Sequence, residues 1–291
     1  MDPQAPTIAR ARAGELGRAA GAPIVPAAAS PLHVRWLGRI DYRAAWDLQH
    51  ALVAQRAGEE IPDQLLLLEH PAVLTLGRNA APEHVPAGGG ELARRGIEII
   101  RVERGGEVTY HGPGQLVAYP ILALSRRGLL LRPLVRVLEA AMIETCASFG
   151  VGAGRRDGHP GCWVDPDGAA PRKIGALGIR VERGITYHGI ALNIAPDLAD
   201  FELIDPCGMP DVVSTSIAGE AGWPAQDPGS PVTRRAVASA AGTFARALAQ
   251  GLGASLTGDR LLDPPLDPRA EPTVELPVEP ASATEPAALP G

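Results

Sequence analysis

One stretch of this chain, which lies between two apolar runs, is rich in glycine. From Arg104 to Gly114 there are four glycines and one proline, interspersed with side chains that can form hydrogen bonds. Glycine is unfavourable in the interior of helices and strands because it loses more backbone freedom on folding than other residues. The block therefore predicts a loop whose backbone comes close to a ligand.

Part of this block occurs a second time in the chain. The sequence VERG at residues 102–105 returns at 181–184, and TYHG at 109–112 returns at 186–189. After the second copy come LNI at 192–194 and PCG at 206–208. The repeat places a histidine at matching positions, His111 and His188, which either bind substrate or satisfy buried backbone groups. We favour substrate binding for His111, because glycines surround it.

Composition excludes several classes of protein. The net charge is −6, but residues 263–291 contribute six acidic side chains against one arginine, so the rest of the chain is close to neutral and does not indicate a nucleic-acid-binding protein. The longest apolar runs, such as residues 65–68 and 129–131, are far too short to cross a bilayer. The N-terminus lacks the apolar core of a secretion signal. We therefore expect a cytoplasmic protein without a membrane partner.

The two ends of the chain differ from its middle. Residues 1–30 are rich in Ala, Pro and Gly, and residues 263–291 contain eight prolines. Neither segment has an apolar face that would offset the entropy lost on ordering it. We predict disordered tails at 1–30 and 263–291 and one catalytic domain at 31–262.

Apolar periodicity within that domain predicts more strands than helices. Strands are predicted at residues 34–37, 65–68, 73–76, 97–102, 116–122, 162–164, 174–181 and 185–194. Helices are predicted from Asp41, as the N-cap, to near Gly58, through the apolar positions of residues 134–149, and over 233–250. Because many connections have hairpin length, the pattern indicates an α+β fold with a mixed, largely antiparallel sheet packed with helices.

Four arginines lie close together in sequence near the second of these helices. These are Arg126, Arg127, Arg132 and Arg136. They predict a solvated helix face, with a docking surface for an acidic protein as the alternative.

The three cysteines have different settings. Cys146 falls within a predicted helix and Cys162 begins a predicted strand, so both are interpreted as small core residues. Cys207 lies between Pro206 and Gly208, in a segment that suits neither a helix nor a central strand. A thiol in a rigid loop is placed to meet a substrate, although an inert loop cysteine is the alternative.

Lys173 is the only lysine in the chain, because arginine supplies every other basic side chain. Arginine stays protonated, whereas lysine can lose its proton when it is desolvated. Beside a thiol, a lysine can stabilise the thiolate as a cation or accept its proton as a base. The alternative is a surface lysine beside the turn at residues 165–171.

Two further kinds of site are disfavoured. The seven histidines show no paired metal-binding spacing, so no metal is predicted. No GxxxxGK[ST] motif is present, and the glycine-rich block lacks a lysine, so a phosphate cradle is weakly supported.

These motifs together resemble the lipoyl(octanoyl) transferase family. The resemblance runs from about Leu32 to the last helix. It is carried by HP at 70–71, TLGR at 75–78, the block from Arg104 to Val117, KIGALG at 173–178, HGIALN at 188–193 and PCG at 206–208. It implies the fold of the lipoate and biotin protein ligases and the transfer of an octanoyl group from acyl carrier protein to a lysine of a lipoyl domain.

The resemblance also implies roles for individual residues. Cys207 would form an acyl-thioester intermediate, and Lys173 would lower its pKa. The substrate-binding residues it implies are Arg104, Gly105, Gly106, Glu107, Val108, Thr109, Tyr110, His111, Ala176, Leu177, Gly178, Gly189, Ile190 and Ala191.

No cofactor is implied. The expected partners are octanoyl-acyl carrier protein, the lipoyl domains of 2-oxoacid dehydrogenase complexes and the glycine cleavage H protein. Three alternatives stay open: an ATP-dependent lipoate ligase, a cysteine hydrolase that uses Cys207 with His111 or His188, and a non-catalytic protein that binds acyl carrier protein.

Overall fold

The computed structural model describes residues 30–205 and 212–259. Its strands are β1 (Pro31–Arg39), β2 (Asp63–Glu69), β3 (Val73–Leu76), β4 (Glu98–Arg101), β5 (Val108–His111), β6 (Gln115–Ile121), β7 (Gly154–Arg156), β8 (His159–Val164), β9 (Arg172–Glu182), β10 (Ile185–Asn193), β11 (Val213–Ser214) and β12 (Ser255–Gly258). Its α-helices are α1 (Tyr42–Ala57), α2 (Gly89–Arg95), α3 (Leu131–Ser148), α4 (Ile217–Glu220) and α5 (Pro231–Leu252). Short 3₁₀ helices cover Pro82–His84, Ser125–Arg127 and Leu198–Leu203.

Most strands form one mixed sheet, in the order β12-β1-β2-β6-β10-β9-β8-β7, with β11 paired to β9. The pairs β1–β2, β1–β12 and β9–β11 are parallel, and the other pairs of this sheet are antiparallel. A second sheet has the order β4-β3-β5. The predicted fold class, α+β with a largely antiparallel sheet, is confirmed.

Both faces of the large sheet are covered. Leu65 and Leu67 of β2 belong to a core shared with α3 and α5, whereas Leu66 and Leu68 belong to a core shared with α1. Because strand side chains alternate between faces, a strand covered on both sides has a continuous apolar run. That is why residues 65–68 are four successive leucines, all of them buried.

Helix α1 begins where the sequence predicts. The Asp41 side chain accepts hydrogen bonds from the backbone N–H groups of Arg43 and Ala44, and the helix ends at Gly58. Its buried face includes Gln49, a polar residue that the apolar pattern did not indicate. Gln49 accepts a hydrogen bond from the backbone N–H of His188 at 2.7 Å, which ties α1 to β10.

Three sequence predictions need correction. Residues 108–111, predicted as part of a loop, form strand β5, because they pair with β3 residue by residue. Arg127 does not lie on a solvated helix face: its side chain is 5% exposed and forms an ion pair with the buried carboxylate of Asp63. Helices α2 and α4 and strands β7, β11 and β12 were not predicted, since each is short.

Among the described residues, no helix is long and apolar enough to span a membrane. The predicted tails fall almost wholly outside the described ranges, as does the segment 206–211 that contains Cys207.

Candidate active site

A cleft lies where the three-stranded sheet β4-β3-β5, with the loop that follows β4, meets the large sheet. The loop that follows β4 passes over β9, and the backbone N–H of Gly105 donates to the carbonyl of Ile179 at 3.3 Å. A methyl group at Gly178 would lie 2.8 Å from the carbonyl oxygen of Gly105, closer than such atoms approach in real structures. The absence of a side chain at Gly178 therefore lets the loop lie on the sheet.

Residue Gly77, which follows β3, holds the other side of this loop. Its N–H donates to the carbonyl of Glu107 at 2.9 Å, and the N–H of Arg78 donates to the carbonyl of Arg104 at 3.1 Å. A methyl group at Gly77 would stand 2.4 Å from the carbonyl oxygen of Gly106. The loop is thus fixed by backbone hydrogen bonds on both sides.

The side chain of Arg104 lies beneath the loop and is buried. Its guanidinium donates to the Oγ1 of Thr75 at 2.9 and 3.2 Å, to the carbonyl of Thr75 at 2.7 Å and to the carbonyl of Gly105 at 3.0 Å. A guanidinium presents several donors in a fixed planar fork, which suits this set of acceptors. Arg104 therefore places a positive charge in the cleft wall and also holds the loop in shape.

Two predicted substrate-binding segments are direct neighbours in the sheet. In the antiparallel pair of β9 and β10, Ala176 faces Ala191, Leu177 faces Ile190 and Gly178 faces Gly189. Their separation in sequence did not show this pairing. Gly189 packs on β6, where a methyl group would stand 2.0 Å from the carbonyl oxygen of Ala118. These six residues form one wall of the cleft.

The predicted residues that line the cleft are Arg104, Gly106, Glu107, Val108, Thr109, His111, Lys173, Ala176, Leu177, Gly178, Gly189, Ile190 and Ala191. The cleft holds about 760 Å³ of empty space, including the part open to solvent. Gly105 and Tyr110 lie outside this lining. The Tyr110 hydroxyl instead donates to Asp200 at 2.7 Å, and its ring packs on Phe201.

Lys173 is not a surface residue, which corrects the alternative interpretation made from sequence. It lies in β9, is 9% exposed and lines the cleft. Its Nζ is 5.3 Å from the centre of the Trp163 ring. On its other side Lys173 pairs with Ser214 of β11, and its carbonyl accepts a hydrogen bond from the N–H of Thr215 at 2.9 Å.

His111 ends a chain of buried hydrogen bonds. Its Nδ1 is 2.8 Å from Gln115 Oε1, and the Gln115 amide nitrogen donates to Asn193 Oδ1 at 2.9 Å and to the carbonyl of Tyr110 at 3.2 Å. Because the amide nitrogen of Gln115 faces two acceptors, its oxygen faces His111, so Nδ1 carries the ring proton. Burial, with His70 nearby, holds the pKa of His111 well below its ordinary value. The neutral ring therefore has Nε2 as a hydrogen-bond acceptor.

His188 has a strained backbone, with φ at +54°. Neighbouring strand residues normally point to opposite faces. Here the rings of Tyr187 and His188 stack on each other, with their centres 4.9 Å apart, so both side chains lie on the same face of the strand. The distortion occurs beside Pro120 of β6, which has no N–H for a sheet hydrogen bond. Within the described residues neither ring nitrogen of His188 has a hydrogen-bond partner, and burial lowers its pKa to about 3.

His70 and two tyrosines support the inner end of the cleft. His70 Nδ1 is 2.8 Å from the carbonyl of Ile40, and its Nε2 is 2.8 Å from the hydroxyl of Tyr119. A carbonyl can only accept, so Nδ1 carries the proton and the Tyr119 hydroxyl donates to Nε2. Burial lowers the pKa of His70 to about 4 and raises the pKa of Tyr42 to about 12. Burial also raises the pKa of Tyr119 well above its ordinary value, so all three side chains are neutral at pH 7.

Further residues that line the cleft were not among the predicted site residues. These are Tyr42, Gln115, Tyr119, Gly175, His188, Asn193, Phe201 and Ser214. The repeated TYHG sequence had raised His188 as a candidate, either for substrate binding or for a structural role. For the others the apolar pattern held no signal of a site. No group of three or more His, Cys, Asp or Glu in ranges 30–205 and 212–259 is arranged to hold a metal ion.

Comparison with known proteins identifies the family. The model of the lipoyl protein ligase A/B catalytic domain matches residues 41–232. An octanoyltransferase from Chloroflexus aggregans is 49% identical over 214 residues, which cover 73% of this chain and 95% of that protein. An octanoyltransferase from Mycolicibacterium gilvum is 49% identical over 193 residues, 66% of this chain and 77% of that protein. The chain belongs to the octanoyltransferase family.

Solved structures of this family's relatives share the fold. Lipoate-protein ligase A bound with ATP superposes with a TM-score of 0.53 over 81% of this chain and 90% of that one. A bi-partite lipoate protein ligase from Thermoplasma acidophilum also gives 0.53, over 81% and 88%. Both are 13% identical to this chain, so they are evidence for the fold alone. The predicted octanoyltransferase enzyme and its lipoate-ligase fold are confirmed.

Proposed function

We propose that this octanoyltransferase takes the octanoyl group from acyl carrier protein and transfers it to a lysine of a lipoyl domain, through a thioester on Cys207. The observation that carries the proposal is the position of Lys173. The only lysine in the chain lines the same cleft as the three segments predicted to bind substrate.

Cys207 lies outside the described residues, so its proposed role is supported by connectivity. Ser214 follows Cys207 by seven positions and pairs with Lys173 in the sheet. On the other side of the segment, the N–H of Asp205 donates to the carbonyl of His84 at 2.9 Å. A segment that ends beside Lys173 is compatible with contact between the thiol and the ammonium.

In the first step the Cys207 thiolate attacks the thioester carbonyl of the acyl donor. The bond between that carbon and the carrier's sulfur breaks, and the carrier leaves as a thiol after it takes up a proton. Lys173 would stabilise the thiolate or accept its proton. Backbone N–H groups near Leu177 and Gly178 are our candidates for the oxyanion hole, because both residues line the cleft.

In the second step the amine of a lipoyl-domain lysine attacks the acyl-enzyme. An amide forms, the amine loses a proton and the Cys207 thiolate is released. Exchange between thioesters is nearly balanced and amide formation is downhill, so the reaction needs neither ATP nor another cofactor. The proposed acceptors are the lipoyl domains of 2-oxoacid dehydrogenase complexes and the glycine cleavage H protein, and we place the reaction in the cytoplasm.

The discriminating experiment measures the intact mass of the protein after incubation with octanoyl-acyl carrier protein, with and without lipoyl domain and ATP. We expect one octanoyl group on Cys207 without ATP, and its loss to the lipoyl domain. An adduct on Cys146 or Cys162 would overturn the proposal. An absolute ATP requirement would indicate a ligase. Release of free octanoate would indicate a hydrolase, and the absence of any adduct would indicate a binding protein. Cys207→Ser should lose most turnover, since an alkoxide is far harder to generate than a thiolate at neutral pH.

A further inference from the structure

We propose that the indole of Trp163 holds the Lys173 ammonium in the wall of the cleft, which makes Trp163 a positioning residue for acyl transfer. The inference rests on the proposed function, in which Lys173 acts on the Cys207 thiol. A lysine side chain has a flexible four-carbon stem. To act on one sulfur atom it must be held in one direction.

Trp163 and Lys173 are paired across two strands. They are register partners in β8 and β9, so their side chains leave the sheet on the same face. The Lys173 Nζ lies 5.3 Å from the centre of the indole ring. An ammonium within about 6 Å of an aromatic face is attracted by the electron density of the ring, most strongly for tryptophan.

The indole is itself rigidly held. Trp163 is 1% exposed, and its Nε1 donates to the carbonyl of His159 at 3.0 Å. The Arg156 guanidinium carbon is 5.5 Å from the same ring centre. A ring that is buried and hydrogen-bonded at its edge loses little further entropy when it binds a cation. Trp163 can therefore act as a fixed support for the lysine.

The absence of a side chain at Gly161 provides space for the aliphatic part of the Lys173 side chain. A methyl group there would stand 3.3 Å from Lys173 Cε and 2.5 Å from the carbonyl oxygen of Gly175. The φ angle of Gly161 is +137°, a conformation that residues with side chains rarely adopt. Its N–H donates to the Oε1 of Glu139 at 3.2 Å. We call Gly161 and Trp163 together the lysine seat.

Glu139 fixes this seat to the helix behind it. Its carboxylate is buried in α3 and is also contacted by Arg136 and Arg155, each at 3.1 Å. A buried carboxylate with several donors is stabilised in one position. The seat is therefore braced from the far side of the sheet. Because an aromatic face attracts an ammonium, the seat suits a lysine that acts on the thiol through its positive charge.

The first test uses the fact that Lys173 is the only lysine. Incorporation of ¹³C-lysine into the full chain, expressed without lysine in any tag, gives one lysine side-chain spin system in NMR. Lys173→Ala removes it and confirms the assignment. In the wild type we expect the side-chain protons to be shifted upfield by the indole ring current. In Trp163→Leu that shift should vanish, and in Trp163→Phe part of it should persist. Identical shifts in the wild type and Trp163→Leu would overturn the inference.

The second test measures the rate at which octanoyl-acyl carrier protein acylates Cys207 in a single turnover. Trp163→Leu should slow this step about tenfold, which corresponds to about 1.4 kcal/mol in the activation free energy. The KM for octanoyl-acyl carrier protein should change less than about twofold. Trp163→Phe should recover most of the rate, because it keeps an aromatic face. Trp223→Leu is the matched control: Trp223 packs on Phe149, outside the cleft. If the two leucine variants and Trp163→Phe lose rate equally, the effect is one of general packing and the inference fails.

Lys173→Ala separates this inference from the proposed function. If Lys173→Ala leaves the acylation rate unchanged, the proposed role of Lys173 fails, whatever the NMR spectrum shows about the seat. If Lys173→Ala slows acylation and Trp163→Leu does not, the role of Lys173 stands and that of Trp163 is overturned. Circular dichroism and thermal unfolding of each variant establish that the compared proteins are folded.

Discussion

Gly178 of β9 and Gly189 of β10 face each other in the sheet, and neither position has room for a methyl group. At Gly178 the loop that follows β4 lies against the strand. At Gly189 the neighbouring strand β6 lies against it. The cleft wall is thus made of backbone that its neighbours approach more closely than a side chain would allow. This arrangement explains why two of the substrate-binding segments implied by the family resemblance contain a glycine.

The first prediction concerns Gly189→Ala. The new methyl group would stand 2.0 Å from the carbonyl oxygen of Ala118, so β6 and β10 must move apart. We expect the free energy of unfolding to fall by about 1–3 kcal/mol, together with a loss of octanoyl transfer. Chemical denaturation and the transfer assay measure the two effects. Gly89→Ala is the control, because nothing lies within 4 Å of that position. Equal stability of the two variants would contradict the packing described at Gly189.

The second prediction uses the repeated VERG sequence as its control. Arg104 is buried under the loop, whereas Arg183 is exposed in the turn between β9 and β10. Arg104→Lys removes the planar fork that contacts Thr75 and Gly105, at a cost of about 1.5–3 kcal/mol. We expect a lower melting temperature and a higher KM for the acyl donor. Arg183→Lys should change neither. Wild-type kinetics in Arg104→Lys would show that the fork does not shape the substrate site.

The third prediction concerns Lys173 and the thiol. If Lys173 activates Cys207, the thiol should titrate below the ordinary value of about 8.5. Lys173→Ala should raise that pKa, and Lys173→Arg should keep part of the effect if the charge matters more than proton transfer. The pH dependence of alkylation by iodoacetamide, read by peptide mass, measures this. Cys146 and Cys162 are fully buried, so they should not interfere in the folded protein. Identical profiles for the wild type and Lys173→Ala would remove Lys173 from the mechanism.

The fourth prediction concerns acid stability. Burial lowers the pKa of His70 to about 4 and that of His188 to about 3, from an unfolded value of about 6.5. Between these values the unfolded chain binds protons that the folded protein excludes. The free energy of unfolding should therefore fall as pH decreases from about 7 to about 4, by up to 1.4 kcal/mol per pH unit for each histidine, as an order of magnitude.

Urea denaturation at pH 7, 6, 5 and 4 measures this slope. In His70→Gln the slope should be smaller, because one of the titrating groups is gone. A slope that is unchanged in His70→Gln would show that another group accounts for the acid sensitivity.

Local signals in the sequence were sufficient for much of the fold. Asp41 and Gly58 limit α1 because a helix cap depends on residues next to it in the chain. The run of four leucines at residues 65–68 predicts a buried strand because it is short, continuous and apolar. The single lysine and the histidines of the repeated TYHG motif could be singled out from residue type and spacing, and all three line the cleft.

Only the tertiary structure decided what equivalent residues do. Arg104 and Arg183 have the same neighbours in sequence, yet one is buried under a loop and the other is in a turn. The pairing of Gly178 with Gly189 and the contact of Lys173 with Trp163 are also absent from any local pattern. These outcomes depend on contacts between elements that lie apart in the chain. Where both faces of a strand are buried, apolar and polar residues no longer alternate along it. The face on which a side chain lies is then decided by the elements packed against the strand.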